Sequence, residues 1–499
     1  MGTQQQRKAS NLYAPRDEGT APEQMRGSLL LKIGLYCALL LIISGCGAAY
    51  SSYMSRSLKH LEKGDYEGAL AKLEKPDGST NKLLYRLEKG LIYHYQGRYI
   101  ESNREFEKAE VLIDRLYTRS LSRETAALLT NDAVVAYRGE EFEQTLIHYY
   151  RAMNYERLGD RQAALVECRK ANLKLENYAQ KAEYKLNYKN DAFLQYTTGL
   201  FYEAEGELND AYISYKDAEK GYRAYAETFG TRIPRMLLVD LTRLAQQLGY
   251  DDDVAHYRDT YHLRPEELAP LNSGEVVVFI ESGFVPRKHQ TELSLPILKD
   301  DDGTALWTVS ERAVDRYHRH HTYRRREVDY WLRVALPEYR EAAAAAQAVR
   351  LRSETDSQMA VLAEDIDAIA RRTFEQKFDH ILLRTTARGI AKYLASKGVE
   401  KAIAKAGDND ENAELKKDLG ALVGGLFNLF SAATEAADTR GWLSLPSSIH
   451  IARMPVSAGT TTLTLEFLDA QGRVTTIQTL PPIEAAAEGK TFLSTRTFR

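Results

Sequence analysis

Cys46 closes an uncharged apolar run and stands directly behind Ile43, Ser44 and Gly45, which is the spacing of a lipobox. The chemistry this predicts is cleavage before Cys46 and conversion of its thiol to a thioether with a lipid carrying acyl chains such as palmitate. The run begins at Ile33 and is preceded by Arg26 and Lys32, the charged-then-apolar order of an export signal. It is shorter than the roughly 20 apolar residues of a membrane-crossing helix, and polar residues resume at Ser51 and Ser52. Residues 1–45 are therefore expected to be a leader and lipoprotein signal peptide, with Met25 as the expected start of translation, and 46–56 a lipidated linker. Gly47, in place of an aspartate after the lipidated cysteine, points to outer-membrane sorting. Of the other two cysteines, Cys37 lies in the removed segment. Cys168 is then the one remaining thiol and has no partner for an internal disulfide. Its helical setting predicts a small buried core residue.

The other reactive side chains point to little chemistry. Arg316 to Arg326 reads RYHRHHTYRRR and holds His318, His320 and His321. A local cluster without a cysteine or a placed carboxylate is a poor metal-ligand set, so it reads as a solvated loop, with phosphate or anionic lipid as its functional contact. Glu364, Asp365 and Asp367 sit beside Leu362, Ile366 and Ile369 in a helical pattern and read as a solvated helix face. The chain has no Gly-x-Ser-x-Gly, His-Glu-x-x-His, phosphate-loop or dinucleotide pattern. No catalytic residue, metal site or cofactor is predicted. Five of the 67 basic and three of the 70 acidic residues precede Cys46, leaving the remainder five charges negative. Nucleic acid is excluded as a partner on that balance.

The elements that would carry these residues differ between the two halves. From 57 to 265 the pattern is that of helix pairs. Gly90, Tyr93, Gly97, Tyr99, Ser102, Phe106 and Ala109 form its clearest copy, followed by Ala152, Tyr155, Gly159, Ala164, Cys168 and Ala171, and by Gly199, Tyr202, Gly206, Ala211, Tyr215 and Ala218. A small residue such as Gly90 lets two helices approach, Tyr93 and Phe106 fill the space between them, and Gly97 makes the turn. These spacings resemble a tetratricopeptide (TPR) repeat. Partial copies at Gly64, Tyr66, Ala69 and Leu73 and at Gly249, Val254 and Tyr257 bring the expected number to five, in an irregular solenoid. Such a solenoid leaves a concave face free for a protein partner; Tyr85, Tyr93, Tyr95, Tyr137, Tyr149, Tyr150 and Tyr196 would suit that face, although packing between the helices is the expected place of most of them.

Residues 266–499 are expected to form an α+β domain. Strands are predicted over 275–280, 305–309, 330–336 (ended by Pro337), 449–454, 461–467, 474–480 and 491–496, with a hairpin turn at 469–472. A helix is expected over 358–406, a loop over 408–412, and a second helix over 413–437, where Gly420, Gly424 and Gly425 permit close packing. The overall expectation is a mainly α chain: an irregular TPR-like α-solenoid followed by an α+β domain with C-terminal strands.

The stretch Asp438-Thr-Arg-Gly-Trp442 through Arg453, together with 274–288, resembles an uncharacterised family of large bacterial lipoproteins that carry N-terminal TPR-like repeats. That resemblance implies a layout and a location and brings no activity. Bottom-up, Asp438 and Arg440 are expected to pair where a helix ends, with Trp442 packing the first strand and Arg453 completing a structural corner. The function expected is a non-catalytic, periplasm-facing scaffold or adaptor of the outer membrane, held there by its lipid and binding envelope proteins. The alternatives are an enzyme acting on peptidoglycan or polysaccharide, and an accessory subunit of an outer-membrane secretion or assembly machine.

Overall fold

The computed structural model describes residues 46–73, 80–118, 135–181, 188, 190–269, 273–299, 305–306, 328–340, 348–405 and 436–498. The leader and signal peptide expected over 1–45, the basic stretch 316–326, the loop 408–412 and nearly all of the helix expected over 413–437, including Gly420, Gly424 and Gly425, lie outside them. Cys46–Arg499 form one compact unit. Among the described residues, ten helices come first: α1 (Cys46–Leu61), α2 (Tyr66–Lys72), α3 (Lys82–Tyr95), α4 (Tyr99–Thr118), α5 (Glu141–Arg157), α6 (Arg161–Lys181), α7 (Ala192–Ala204), α8 (Leu208–Thr228), α9 (Arg235–Gln247) and α10 (Asp251–Tyr261). The expected linker 46–56 is thus the first part of α1, because Tyr50, Met54, Leu58 and Leu61 recur at helical spacing and are buried.

Successive helices pair, α1 with α2 through α9 with α10, and one turn joins each pair. The backbone N–H groups of Asp65, Arg98, Asp160, Glu207 and Tyr250 each reach the carbonyl five residues back, the closing bond of a Schellman turn. Gly64, Gly97, Gly159, Gly206 and Gly249 take φ of 71°, 75°, 78°, 80° and 75° there. Nothing lies within 4 Å of a Cβ built on any of the five, so backbone handedness alone selects glycine.

Gly90 and Gly199 serve a different purpose, the close approach of paired helices. A Cβ at Gly90 would meet the Phe106 ring at 2.7 Å, and one at Gly199 the Tyr215 ring at 2.3 Å. Both rings are fully buried. Gly199→Val is expected to lower unfolding stability by about 1–3 kcal/mol, measured by urea denaturation. Parental stability would mean that α7 and α8 do not need this separation. Ala109, Ala152, Ala164, Cys168, Ala171, Ala211 and Ala218 are all buried, and burial pushes the Cys168 thiol up to about 12. The repeat tyrosines differ from expectation. Tyr93, Tyr155 and Tyr202 are only half-buried, with the Arg98 guanidinium 4.3 Å from the Tyr93 ring centre and Arg169 donating to the Tyr202 hydroxyl at 2.8 Å. Their polar tips keep them at the edge of the seam that Phe106 and Tyr215 fill.

The 3-10 turn Pro265–Leu268 ends the helical region, and strands follow: β1 (Gly274–Ser282), β2 (Lys288–Lys299), β3 (Ala305–Leu306), β4 (Val328–Tyr339), β5 (Ala348–Arg352), β6 (Ser357–Met359), β7 (Val361–Asp365), β8 (Ser448–Val456), β9 (Gly459–Thr461), β10 (Thr464–Leu468), β11 (Val474–Thr479), β12 (Ile483–Ala485) and β13 (Lys490–Thr497). The central sheet has the order β13-β1-β8-β7. β13 runs parallel to β1 from Glu275↔Lys490 to Ser282↔Thr497, and β8 runs antiparallel on its other side. All nine residues of β1 are buried, since both faces of the sheet are covered. Val277, Phe279, Ile449, Ile451 and Phe492 join the core of the helices. Val276, Val278, Ile280, Ala452 and Met454 pack instead with Val349, Leu351, Leu465 and Phe467 of a second sheet, ordered β11-β10-β5-β6. The layers are helices, central sheet and outer sheet. A third sheet, β3-β2-β4, packs Ile297, Leu332, Val334 and Leu336 on Leu382 and Tyr393 of α11 (Ile366–Lys405).

Several boundaries differ from those read in the sequence. The helix expected from 358 begins at Ile366, because 357–359 and 361–365 are strands and Asp365 caps α11 by accepting the Ala368 N–H at 2.9 Å. β4 runs through Pro337, which an edge strand tolerates because a ladder bond is not required on its outer side. The strand expected over 461–467 is two, one paired with β12 and the other between β5 and β11. The hairpin of β10 and β11 turns at Gly472, φ 76°.

Candidate functional site

The face of the helix pairs that was expected to be open is covered by the chain's own sheet. The first helix of each of two pairs, α5 and α7, supplies aromatic rings to it: Tyr149 and Phe193 lie 6.3 and 6.0 Å from Phe279, and Phe201 lies 4.9 Å from Phe492. Glu281 of β1 sits between them, fully buried, and accepts the hydroxyls of Tyr95, Tyr150 and Tyr149 at 2.6, 2.9 and 3.3 Å. The tyrosines are therefore inward groups that satisfy a buried carboxylate.

Further carboxylates tie the helices to the strand region. Glu88 of α3 and Glu143 of α5 accept the neighbouring backbone N–H groups of Leu443 and Trp442 at 2.9 and 2.7 Å. Tyr50 also donates to Glu88 at 2.8 Å, and Tyr137 to Glu143 at 2.6 Å. Burial raises the Glu88 carboxyl to about 7, and burial followed by the nearby Glu140 raises Glu143. Arg453 of β8 donates to Glu275 at 2.8 and 2.5 Å and pairs with Asp240 of α9. Its guanidinium also donates to the Tyr196 hydroxyl at 3.1 Å. Although burial opposes its charge, Glu275 is held down at about 2 by Arg453 and Lys490. Asp438 and Arg440 pair as expected, at 2.8 and 2.7 Å. Trp442 departs from expectation: it packs on Phe106 and Tyr150 of the helices, at 5.7 and 5.9 Å, because Glu88 and Glu143 draw its backbone into their core.

Beside this seam lies a cavity of about 260 Å³, framed by 135–140, β4, α11 and 437–440. Phe374, Lys377, Ile381 and Arg384 recur every three or four residues along α11 and so share the stripe that lines it. Lys288, Lys377 and Arg440 stand in its recess, whereas Arg138 and Arg384 are exposed. Glu140 pairs with Lys288 and accepts Lys377 at 2.7 Å. Burial disfavours the charge of Glu140, yet the two ammonium groups outweigh it and hold its carboxyl well below the ordinary range. In return, Glu140 keeps the Lys288 ammonium charged against burial. Among the described residues, five basic and two acidic side chains line the cavity, and Glu141 also pairs with Lys377.

Two other clusters proved less open to chemistry. Glu110, His148 and Glu167 bring ligand atoms within 4.8 Å of one another. Arg151 bonds both glutamates, with Lys174 on Glu110 at 3.2 Å and Lys170 on Glu167 at 2.9 Å, so a cation already fills the centre. Glu364, read from the sequence as solvated, is buried on β7. The error follows from the helix boundary: a strand residue beside β8 turns under the helices where a helical one would have faced water. Burial and then Asp191 and Asp365 raise its carboxyl well above the usual range. No family model matches the chain, and no curated protein does.

Proposed function

We propose that the protein is a lipid-anchored, periplasm-facing adaptor of the outer membrane that acts by binding envelope proteins and performs no catalysis. The observation that carries this reading is the position of Cys46 at the start of a core-packed helix. Tyr50, four residues on, is fully buried, so a lipid on Cys46 would hold the body within about 6 Å of rise from its anchor. No helix among the described residues is long and apolar enough to cross a membrane. The five Schellman turns and the glycine-to-ring contacts support a TPR-like reading of the helices. Because the inner face is occupied, partners would meet the second helices, where Ile100, Val111, Val166, Leu173 and Ile213 are exposed.

Cys46→Ser is expected to move the protein from the membrane to the soluble periplasmic fraction with its circular dichroism spectrum unchanged. Retention on the membrane would contradict the anchor. In-cell crosslinking from Val166 or Ile213 should capture a specific envelope protein, and a catch of abundant unrelated proteins would count against the adaptor.

A further inference from the structure

We propose that β11 is the edge through which two copies of this chain pair, running antiparallel about a two-fold axis at Ile477. In the outer sheet, ordered β11-β10-β5-β6, β11 stands at one end and, among the described residues, pairs on one side only, with β10. Natural sheets shield such an end with lysine, proline or a covering loop. Val474-Thr-Thr-Ile-Gln-Thr479 carries no charge and no proline, and Val474 and Ile477 are 44% and 61% exposed. Thr475 and Thr479 are exposed as well.

The ladder decides which backbone groups are open to a further strand. The Leu480 N–H donates to the Leu463 carbonyl at 2.9 Å. Alternation along an antiparallel pair then turns the backbone of Gln478 toward Leu465 and directs the N–H and carbonyl groups of Ile477 and Thr479 away from β10. Side chains alternate too. Leu465 and Phe467 belong to the core between the two sheets, so Ile477, opposite Glu466, lies on the outer face. A second copy suits both the backbone and the side chains of this edge. With Ile477 opposite its own counterpart, the pair exchanges N–H and carbonyl bonds and brings two β-branched side chains together, while Thr479 falls opposite Thr475 on either side of the axis. Arg473, held by Asp469 at 2.7 Å, falls opposite Pro481, so no like charges meet. This self-complementary run selects a copy over a foreign strand, and a contact of the same patch on both chains closes as a dimer. Neither the lipid anchor nor the exposed side chains of the second helices take part.

The test is sedimentation velocity, over two decades of concentration, on the chain from Cys46 onward carrying Cys46→Ser. An equilibrium between monomer and dimer is expected. Ile477→Lys sets two ammonium groups against each other at the axis and should weaken dimerisation at least about tenfold. Thr479→Pro removes an N–H that β10 does not use and should do the same, with an unchanged circular dichroism spectrum. Ile213→Lys, at an exposed position of α8, should leave the equilibrium as it was. Under mild oxidation Ile477→Cys should give a disulfide-linked dimer and Val474→Cys should not, since in this register the two 474 positions stand about 20 Å apart. A monomer at every concentration, a dimer indifferent to Ile477→Lys and Thr479→Pro, equal loss in Ile213→Lys, or equal crosslinking from both cysteines would each overturn the proposal. So would photo-crosslinking from position 477 in cells that yields a different protein and no dimer, which would give the edge to a foreign strand.

Discussion

Arg453→Met will lower unfolding stability by about 3–5 kcal/mol at neutral pH, because removing one partner of a buried ion pair strands the others. Arg453 is 9% exposed and joins Asp240 of α9 to Glu275 of β1, so both carboxylates lose their main counter-charge at once. Lys490 stays beside Glu275 at 3.1 Å and limits the loss there. Asp240 keeps the Tyr196 hydroxyl at 3.1 Å. The pH dependence follows from Glu275, whose carboxyl lies at about 2 in the folded chain against 4.5 ordinarily. A depressed acid stabilises the fold above its unfolded value and ceases to do so as pH falls through its folded value. The deficit of the variant should therefore be largest above pH 5 and shrink toward pH 2. Adding Asp240→Asn and Glu275→Gln to Arg453→Met should recover part of the stability. Urea denaturation from pH 3 to 7 checks both outcomes, and a deficit independent of pH would contradict the assignment.

Glu88→Gln should raise stability, and only above about pH 5. The folded Glu88 carboxyl sits at about 7 against 4.5 ordinarily, through burial. Between those values the folded chain holds a proton that the unfolded chain has lost, so parental stability falls as pH rises through this window and levels off above 7. The full difference corresponds to about 3 kcal/mol at pH 8. Glutamine keeps an oxygen to accept the Tyr50 hydroxyl and the Leu443 N–H, and it has no charge to desolvate. Its new N–H groups replace Glu88 Oε2, which has no partner, so the gain is at most about 3 kcal/mol. The variant and parent should be equally stable at pH 4 and separate progressively to pH 7. Glu143, Asp191 and Glu364 are raised in the same direction, so some decline with pH will persist in the variant. A stability difference that does not vary with pH would show that Glu88 is not the titrating group.

The helix pairs were legible because glycine at two kinds of position leaves a sequence mark: Gly97 and its counterparts through φ, Gly90 and Gly199 through contact with Phe106 and Tyr215. β1 was legible as a continuous β-branched run because both of its faces are buried. The seam was not. Glu88 and Glu143 resemble surface charges, and only their placement on the apolar stripes of Leu84–Leu91 and Ile147–Tyr150 marks them as inward. Their partners, Leu443 and Trp442, lie 355 and 299 residues away in the chain, and backbone N–H groups leave no trace in a sequence. The strand at 361–365 was misread because Leu362, Ile366 and Ile369 fit a helical period across a strand-to-helix junction. The cavity joins residues from 135–140, 335–337, 374–385 and 437–440, a grouping that only tertiary contact creates.

If the sheet fills the inner face of the repeats, helices and strands should unfold together. Differential scanning calorimetry of the chain from Cys46 onward is the most direct measurement. A single transition with equal calorimetric and van't Hoff enthalpies is expected, shifted as a whole by Arg453→Met. Two separable transitions, with Arg453→Met moving one and leaving the other in place, would contradict the account.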